Sequence, residues 1–204
     1  MTLEDNYRKI APKLTNWLVA TGSGYHEACD LVQETFVKLW KMRDDLRDND
    51  AAVSGLVFTI ARNLRKNMAR EENRISAMRD RLEAGILAAC PNVRVNGDRA
   101  HRLPNTLNVS FEYIEGEAIA YRLSDIGICI STGSACASGS LDPSHVIRAM
   151  GVPFIAVHGS VRFSLSRYNT MDEIDYVLEN LPPVIRKLRE LSPFGPDADP
   201  TTFS

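Results

Sequence analysis

The feature that most constrains this chain is a change of periodicity near residue 76. Up to that point apolar residues recur at helical spacing and no segment alternates as a strand does. In "DLVQETFVKLWK", Leu31, Val32, Phe36, Leu39 and Trp40 fall on one side of a helix, while Asp30, Gln33, Glu34, Lys38 and Lys41 fall on the other. "TGSG" at 21–24 is a loop before that helix, and the polar run 43–55 separates it from a third helix, "LVFTIARNLRKNMAREENR". After residue 78 the pattern becomes mixed. "MRDRLEAGILAAC" reads as a helix stopped by Pro91, "LNVSFEYI" (107–114) as a strand, and "GEAIAYRLSDIG" as a helix ended by Gly127. "ICIST" (128–132) and "SVRFSLS" (160–166) read as further strands. Asp142-Pro143 should open a short helix, Thr170 and Glu173 form a capping box, and Pro182-Pro183 should interrupt the helix that follows or start a new one.

The expected architecture is an α-helical N-terminal segment, residues 1–75, followed by an α+β domain, 76–194, with a small and mainly antiparallel sheet. The helix-favouring seam 67–80 holds no Gly/Ser or Pro linker, and the tail 195–204 is expected to be disordered. No apolar run approaches the roughly 18–20 residues that span a bilayer, and no signal peptide is expected, so a cytoplasmic location without membrane attachment follows. Cysteines 29, 90, 129 and 136 form no CxxC pair, which disfavours a metal site and a disulfide framework. Cys129, inside the apolar run "ICI", is expected to be a buried inert thiol. Charge is uneven: residues 1–75 hold 12 Lys+Arg against 11 Asp+Glu, and residues 76–204 hold 12 against 15. Lysine is more lopsided, since the only one after Lys66 is Lys187.

The sharpest chemical signal is "ISTGSACASGS" (130–140), where Cys136 stands among Gly, Ser, Ala and Thr. Small neighbours let another molecule approach the sulfur closely. A flexible loop with an incidental cysteine is the competing reading. "GDRAHRLPNTLNVSF" (97–111), "YIEGEAI" (113–119), "GICISTGSACASGSLDPSHVIRAMG" (127–151) and "HGSVRFSLSRYNTMDEID" (158–175) resemble, in order and spacing, the C-terminal part of cysteine desulfurases. These belong to the class V aminotransferase group of pyridoxal-phosphate (PLP) enzymes. The resemblance implies that Cys136 receives sulfur as a persulfide for iron–sulfur cluster assembly. It implies that Arg162 grips the substrate carboxylate through paired hydrogen bonds, and it sets Asn105 near the active-site mouth, where a turn-forming role is equally open. His101, His145 and His158 lie in matching segments and are read as structural.

The same resemblance implies PLP as cofactor, yet the lysine and phosphate site that would hold it come from a large domain that this chain lacks. No cofactor is therefore expected on the chain alone, and its standing as an enzyme is left open. A cofactor-bearing desulfurase chain or a sulfur-acceptor scaffold protein is the implied partner.

The helical segment carries a second resemblance. "YRKIAPKL" (7–14), "DLVQETFVKLW" (30–40) and "LVFTIARNLRKN" (56–67) are similar to the second conserved region of bacterial sigma factors of the extracytoplasmic-function type. That implies that Asp30, Gln33 and Glu34, at i, i+3 and i+4, dock on core RNA polymerase. It implies that Arg62, Asn63, Arg65 and Lys66 contact promoter DNA. Leu56 stands where the family often has an aromatic, and no helix-turn-helix follows residue 75. Three readings stand: a desulfurase-derived sulfur carrier, a transcription-initiation module, and a chimera with neither activity intact.

Overall fold

The computed structural model describes residues 3–43, 50–132 and 144–193. Within them seven helices and four strands follow in the order α1 (Leu3–Ala20), α2 (Tyr25–Lys41), α3 (Asp50–Ala89), β1 (Val93–Val95), β2 (Thr106–Phe111), α4 (Gly116–Ser124), β3 (Ser131–Thr132), α5 (His145–Ala149), α6 (Phe154–Val157), β4 (Ser160–Ser164) and α7 (Met171–Leu191). The chain divides into two compact units, 1–71 and 72–204, and α3 contributes to both.

In the first unit α1, α2 and the first half of α3 share one core. Leu14 and Leu18 of α1, Leu31 and Leu39 of α2, and Val57 and Ala61 of α3 are almost wholly buried in it. Gly22, at φ +105° in the loop between α1 and α2, takes a backbone conformation that a side chain would strain. The loop is held from α3 by Arg65, which donates to the Thr21 carbonyl at 2.6 Å and to its hydroxyl.

The second unit is a four-stranded antiparallel sheet of order β1-β2-β4-β3. Alternation along its two central strands gives it two unlike faces. Leu107, Val109 and Phe111 of β2 and Val161 and Phe163 of β4 point inward, against Met78, Leu82 and Ile86 of α3, Ile119 and Leu123 of α4, and Leu181 and Ile185 of α7. α5 and α6 form a smaller cluster of their own, Ile147, Val152, Ala156 and Val157.

Gly127, at φ +81°, closes α4 with the bonds Gly127 N–H to Ser124 O and Ile128 N–H to Leu123 O. At the start of α7, Thr170 accepts from the Glu173 amide while the Glu173 carboxylate accepts from the Thr170 amide.

Several expectations need correction. α7 runs unbroken through Pro182 and Pro183, because Ile174, Leu181 and Ile185 are buried in the core and Leu178, Val184 and Leu188 pack against it. That burial outweighs two missing amide donors. Only Ser131 and Thr132 of the run 128–132 pair as strand. α5 begins at His145 behind Ser144, while Asp142 and Pro143 lie outside the described residues, as does the tail 195–204.

Candidate functional site

The inward residues of β2 and β4 leave Thr106, Asn108, Ser110, Ser160, Arg162 and Ser164 for the opposite face of the sheet. In register, Arg162 stands opposite Asn108 on β2 and opposite Ser131 on β3, with Ser160 and Ser164 two residues away on its own strand. Every one of these neighbours is an uncharged hydroxyl or amide side chain. Arg162 is exposed, and no ion pair among the described residues involves it.

Beside it the face is wired by hydrogen bonds. Asn96 donates through Nδ2 to Asn108 Oδ1 and to Ser110 Oγ, both at 2.7 Å, and Ser160 Oγ donates to Asn108 Oδ1 at 3.1 Å. An exposed guanidinium set among neutral donors, with no carboxylate competing for it, is suited to receive an anionic oxygen pair.

Asn105 acts mainly through its backbone. Its carbonyl accepts the Leu165 amide at 2.8 Å, which extends the β2–β4 ladder by one pair, and its side chain accepts only from the adjacent Thr106 hydroxyl at 3.2 Å. Cys136 lies outside the described residues, and so does the rest of 133–143. The chain reaches that segment from Thr132, which pairs with Val161 next to Arg162.

Sequence reasoning missed the ionic cluster that fastens 97–105 to α3. Arg79 donates to the Leu103 carbonyl at 3.0 Å and to Asp80 at 2.7 Å, Arg102 reaches Asp80 at 3.2 Å and Glu83 more closely, and Arg99 reaches Glu83 at 3.1 Å. Arg79 and Glu83 are both buried. Three guanidiniums share two carboxylates, and in this way the segment carrying Asn105 is fixed before it enters β2. The signal available was the run of Arg99 and Arg102 three residues apart, facing Asp80 and Glu83 on a helix.

Cys129 is exposed, against the expectation of a buried thiol. The run 128–130 is not paired as strand, and Ile128 and Ile130 turn to the core while Cys129 alternates outward. Cys90 is the buried thiol, and burial pushes it up from its ordinary value despite Arg189 and Arg186 nearby. His101 is exposed and bonded to Asp98 at 2.7 Å, which together with the Ala100 amide holds that carboxyl below its usual range. His145 is exposed, and His158 packs edge-on against Phe154.

In the first unit Asp30, Gln33 and Glu34 are all exposed on α2, and Glu34 is 3.7 Å from Lys38. Arg62, Asn63 and Lys66 are exposed on α3, while Arg65 is engaged with Thr21. Leu56 packs against the core.

A cofactor held as a Schiff base needs a lysine in a sheltered pocket. All six lysines are described and all are exposed; Lys187, the one in the second unit, is paired with Glu190 at 3.5 Å. The residues present therefore do not fit PLP. Among the described residues no group of His, Cys, Asp and Glu is placed to hold a metal ion, and no helix is long and apolar enough to cross a membrane.

Comparison with known proteins agrees with the architecture of the second unit. Cysteine desulfurase NifS of Azotobacter vinelandii is 53% identical over 157 residues, covering 75% of this chain and 39% of that protein. A cysteine desulfurase of Cereibacter sphaeroides is 60% identical over 121 residues, covering 59% of this chain and 31% of that protein. The structure of a NifS-like protein from Rickettsia africae superposes with a TM-score of 0.51 at 27% identity, covering 69% of this chain and 36% of that one. The chain thus spans about a third of the length of the curated relatives it matches. None of these matches carries the resemblance of residues 6–75 to sigma factors. The Aminotransferase class-V family matches residues 19–177, a stretch that runs from the end of α1 through α2, α3, the sheet and its polar face to the start of α7, and the chain belongs to that family.

Proposed function

We propose that the second unit is the sulfur-accepting part of a cysteine desulfurase system serving iron–sulfur cluster assembly. Cys136 takes up sulfur and Arg162 holds the carboxylate of the sulfur-bearing molecule. The observation that carries this reading is the register Ser131↔Arg162. It roots the segment that holds Cys136 beside an unpaired guanidinium on a face of neutral donors. Cys136 is four residues beyond Thr132, a contour of at most about 14 Å. High identity to cysteine desulfurases over the same residues supports the assignment.

Class V aminotransferase enzymes use PLP, and every lysine among these residues is exposed, so the cofactor is held by residues other than these. The step left to this chain is an exchange. The Cys136 thiolate attacks the outer sulfur of a donor persulfide, the S–S bond breaks, and the donor leaves as a thiolate. Arg162 positions the donor carboxylate during that attack.

The test is direct. The purified chain is treated with a low-molecular-weight persulfide, digested, and examined for the mass gain of one sulfur atom. The gain is expected on the peptide containing Cys136 and is lost in Cys136→Ala. Failure of wild type to gain sulfur at Cys136 overturns the proposal. Given PLP and L-cysteine instead, the chain is expected to release no alanine; turnover above the Cys136→Ala control refutes the assignment of the cofactor to other residues.

The exposure of Asp30, Gln33 and Glu34 on one side of α2 favours a second reading, in which the first unit docks on core RNA polymerase and brings Arg62, Asn63, Arg65 and Lys66 to promoter DNA. Co-elution with core polymerase, lost in an Asp30/Gln33/Glu34 triple-alanine variant, supports it. Absence of co-elution removes it.

A further inference from the structure

The neighbours of Arg162 across the sheet are not equally close to it. The β2–β4 ladder is bonded at Phe111 N–H to Gly159 O, 3.0 Å, and at Leu165 N–H to Asn105 O, 2.8 Å. Bonded and non-bonded pairs alternate along an antiparallel ladder, so Asn108↔Arg162 is a non-bonded pair. That is the closer kind, with about 4.5 Å between Cα atoms. The phase is the same from the other edge, where the Asn96 amide donates to the Asn108 carbonyl at 2.9 Å. Ser131 faces the bonding side of Arg162, in the wider kind of pair, at about 5.5 Å. Asn108 is therefore the nearest cross-strand neighbour of the arginine.

The Asn108 carboxamide is held in one orientation. Its Oδ1 accepts from Asn96 Nδ2 at 2.7 Å and from Ser160 Oγ at 3.1 Å, and Asn96 Nδ2 also donates to Ser110 Oγ at 2.7 Å. Ser110 and Ser160 are buried, and Asn108 is half-buried. Two donors use up the two lone pairs of Oδ1, which leaves the side chain only its Nδ2 donors. Among the described residues no acceptor meets them, and none meets the Arg162 guanidinium. An oriented amide and a guanidinium, side by side and both with donors unused, are completed only by an acceptor.

We infer that Asn108 is a second binding residue for the carboxylate of the sulfur-bearing molecule, its Nδ2 donating to an oxygen that Arg162 also grips. A carboxylate has about four lone-pair sites and a guanidinium fork fills two, so a third donor is accommodated. The pair selects a carboxylate over the carboxamide of the same shape, whose NH2 would meet Nδ2 or Arg162 donor to donor. Asn96 and Ser160 serve the site only by holding Oδ1. The inference rests on the role proposed for Arg162 and is independent of sulfur uptake by Cys136.

The test is an NMR titration of the isotopically labelled full chain with (methylthio)acetate, a carboxylate that is no persulfide, followed through the Asn108 Nδ2 proton resonances. A saturable downfield movement is expected with (methylthio)acetate and none with (methylthio)acetamide. Asn108→Asp keeps an acceptor for Asn96 and Ser160, removes the donor and sets a negative charge beside Arg162. Affinity should fall at least about tenfold, as expected when a hydrogen bond to a charged group is lost. Arg162→Gln should abolish binding. Full binding by Asn108→Asp, with Arg162→Gln defective, overturns the role of Asn108 and leaves that of Arg162 standing. Full binding by Arg162→Gln overturns both. Nδ2 protons of wild type that stay still, or that move equally with the amide, overturn the inference without any variant, so a variant that fails to fold does not shield it. Mass gain at Cys136 with a persulfide is read separately.

Discussion

Gly159 sets the position of the strand that carries Arg162, and replacing it with alanine tests that dependence. A Cβ added there would stand 1.9 Å from the Phe111 carbonyl oxygen and 2.8 Å from the Ile114 carbonyl oxygen, where ordinary contact begins at 3.4 Å. Both obstacles are backbone, so no side chain can swing aside and the chain at 159 has to retreat by about 1.5 Å. That retreat breaks the Phe111 N–H to Gly159 O bond of 3.0 Å at the end of the β2–β4 ladder. Overpacking of this kind costs about 1–3 kcal/mol and the broken bond about 1 kcal/mol more, so the expected loss is about 2–4 kcal/mol. At a urea dependence of about 2 kcal/mol per molar, the midpoint should fall by about 1–2 M. Far-UV circular dichroism is the suitable probe, because both tryptophans lie in the first unit and would not report on the sheet. Gly55→Ala is the matched control. It sits exposed within α3 with nothing within 4 Å of its added Cβ, and should stabilise by roughly 0.5–1 kcal/mol. A Gly159→Ala protein within about 0.5 kcal/mol of wild type would refute the backbone clash.

Three further outcomes rest on the same physical reasoning. Arg102→Ala leaves Glu83 buried with only Arg99 as partner, and should lower urea stability by about 2–3 kcal/mol, below the usual cost of an orphaned buried charge because Arg99 remains. Glu173 is held below its ordinary carboxyl range by the Asn169 side chain and then by the Thr170 amide, so its stabilising contribution is present above the unfolded value of about 4.3 and disappears as pH falls through the folded value. Urea midpoints of wild type and Glu173→Gln should therefore differ at pH 6 and converge in acid; a constant difference contradicts the capping account. Cys129 should react with a thiol reagent in the native protein while Cys90 stays protected until unfolding, and equal rates at the two positions would contradict their burial.

What could be read in the sequence was whatever repeats locally. Alternation in "LNVSF" and "SVRFS" gave the two central strands and their faces, and helical spacing gave α2 and two stretches, 56–74 and 78–90, that α3 joins into one helix beginning inside the polar run 43–55. Short elements escaped: β1 has three residues and α6 four, too few for a period to register. Pro182-Pro183 misled because local propensity says nothing of the core that α7 meets. Cys129 misled in a different way, since an apolar flank on both sides reads as burial, whereas alternation sends the middle residue outward. The Arg79–Asp80–Glu83–Arg99–Arg102 cluster joins residues some twenty positions apart and has no periodic signature.

The two faces of the sheet explain why Arg162 stands among neutral side chains. Every inward position of β2 and β4 is committed to the core with α3, α4 and α7, and that packing fixes the strands in register. Register alone then decides what surrounds Arg162: Asn108 on one side, Ser131 on the other, serines above and below. A one-residue slip would bury Arg162 and expose Val161 and Phe163, so the core that holds the sheet also forbids any other neighbourhood for the arginine. The polar face is specified by apolar residues that never touch it.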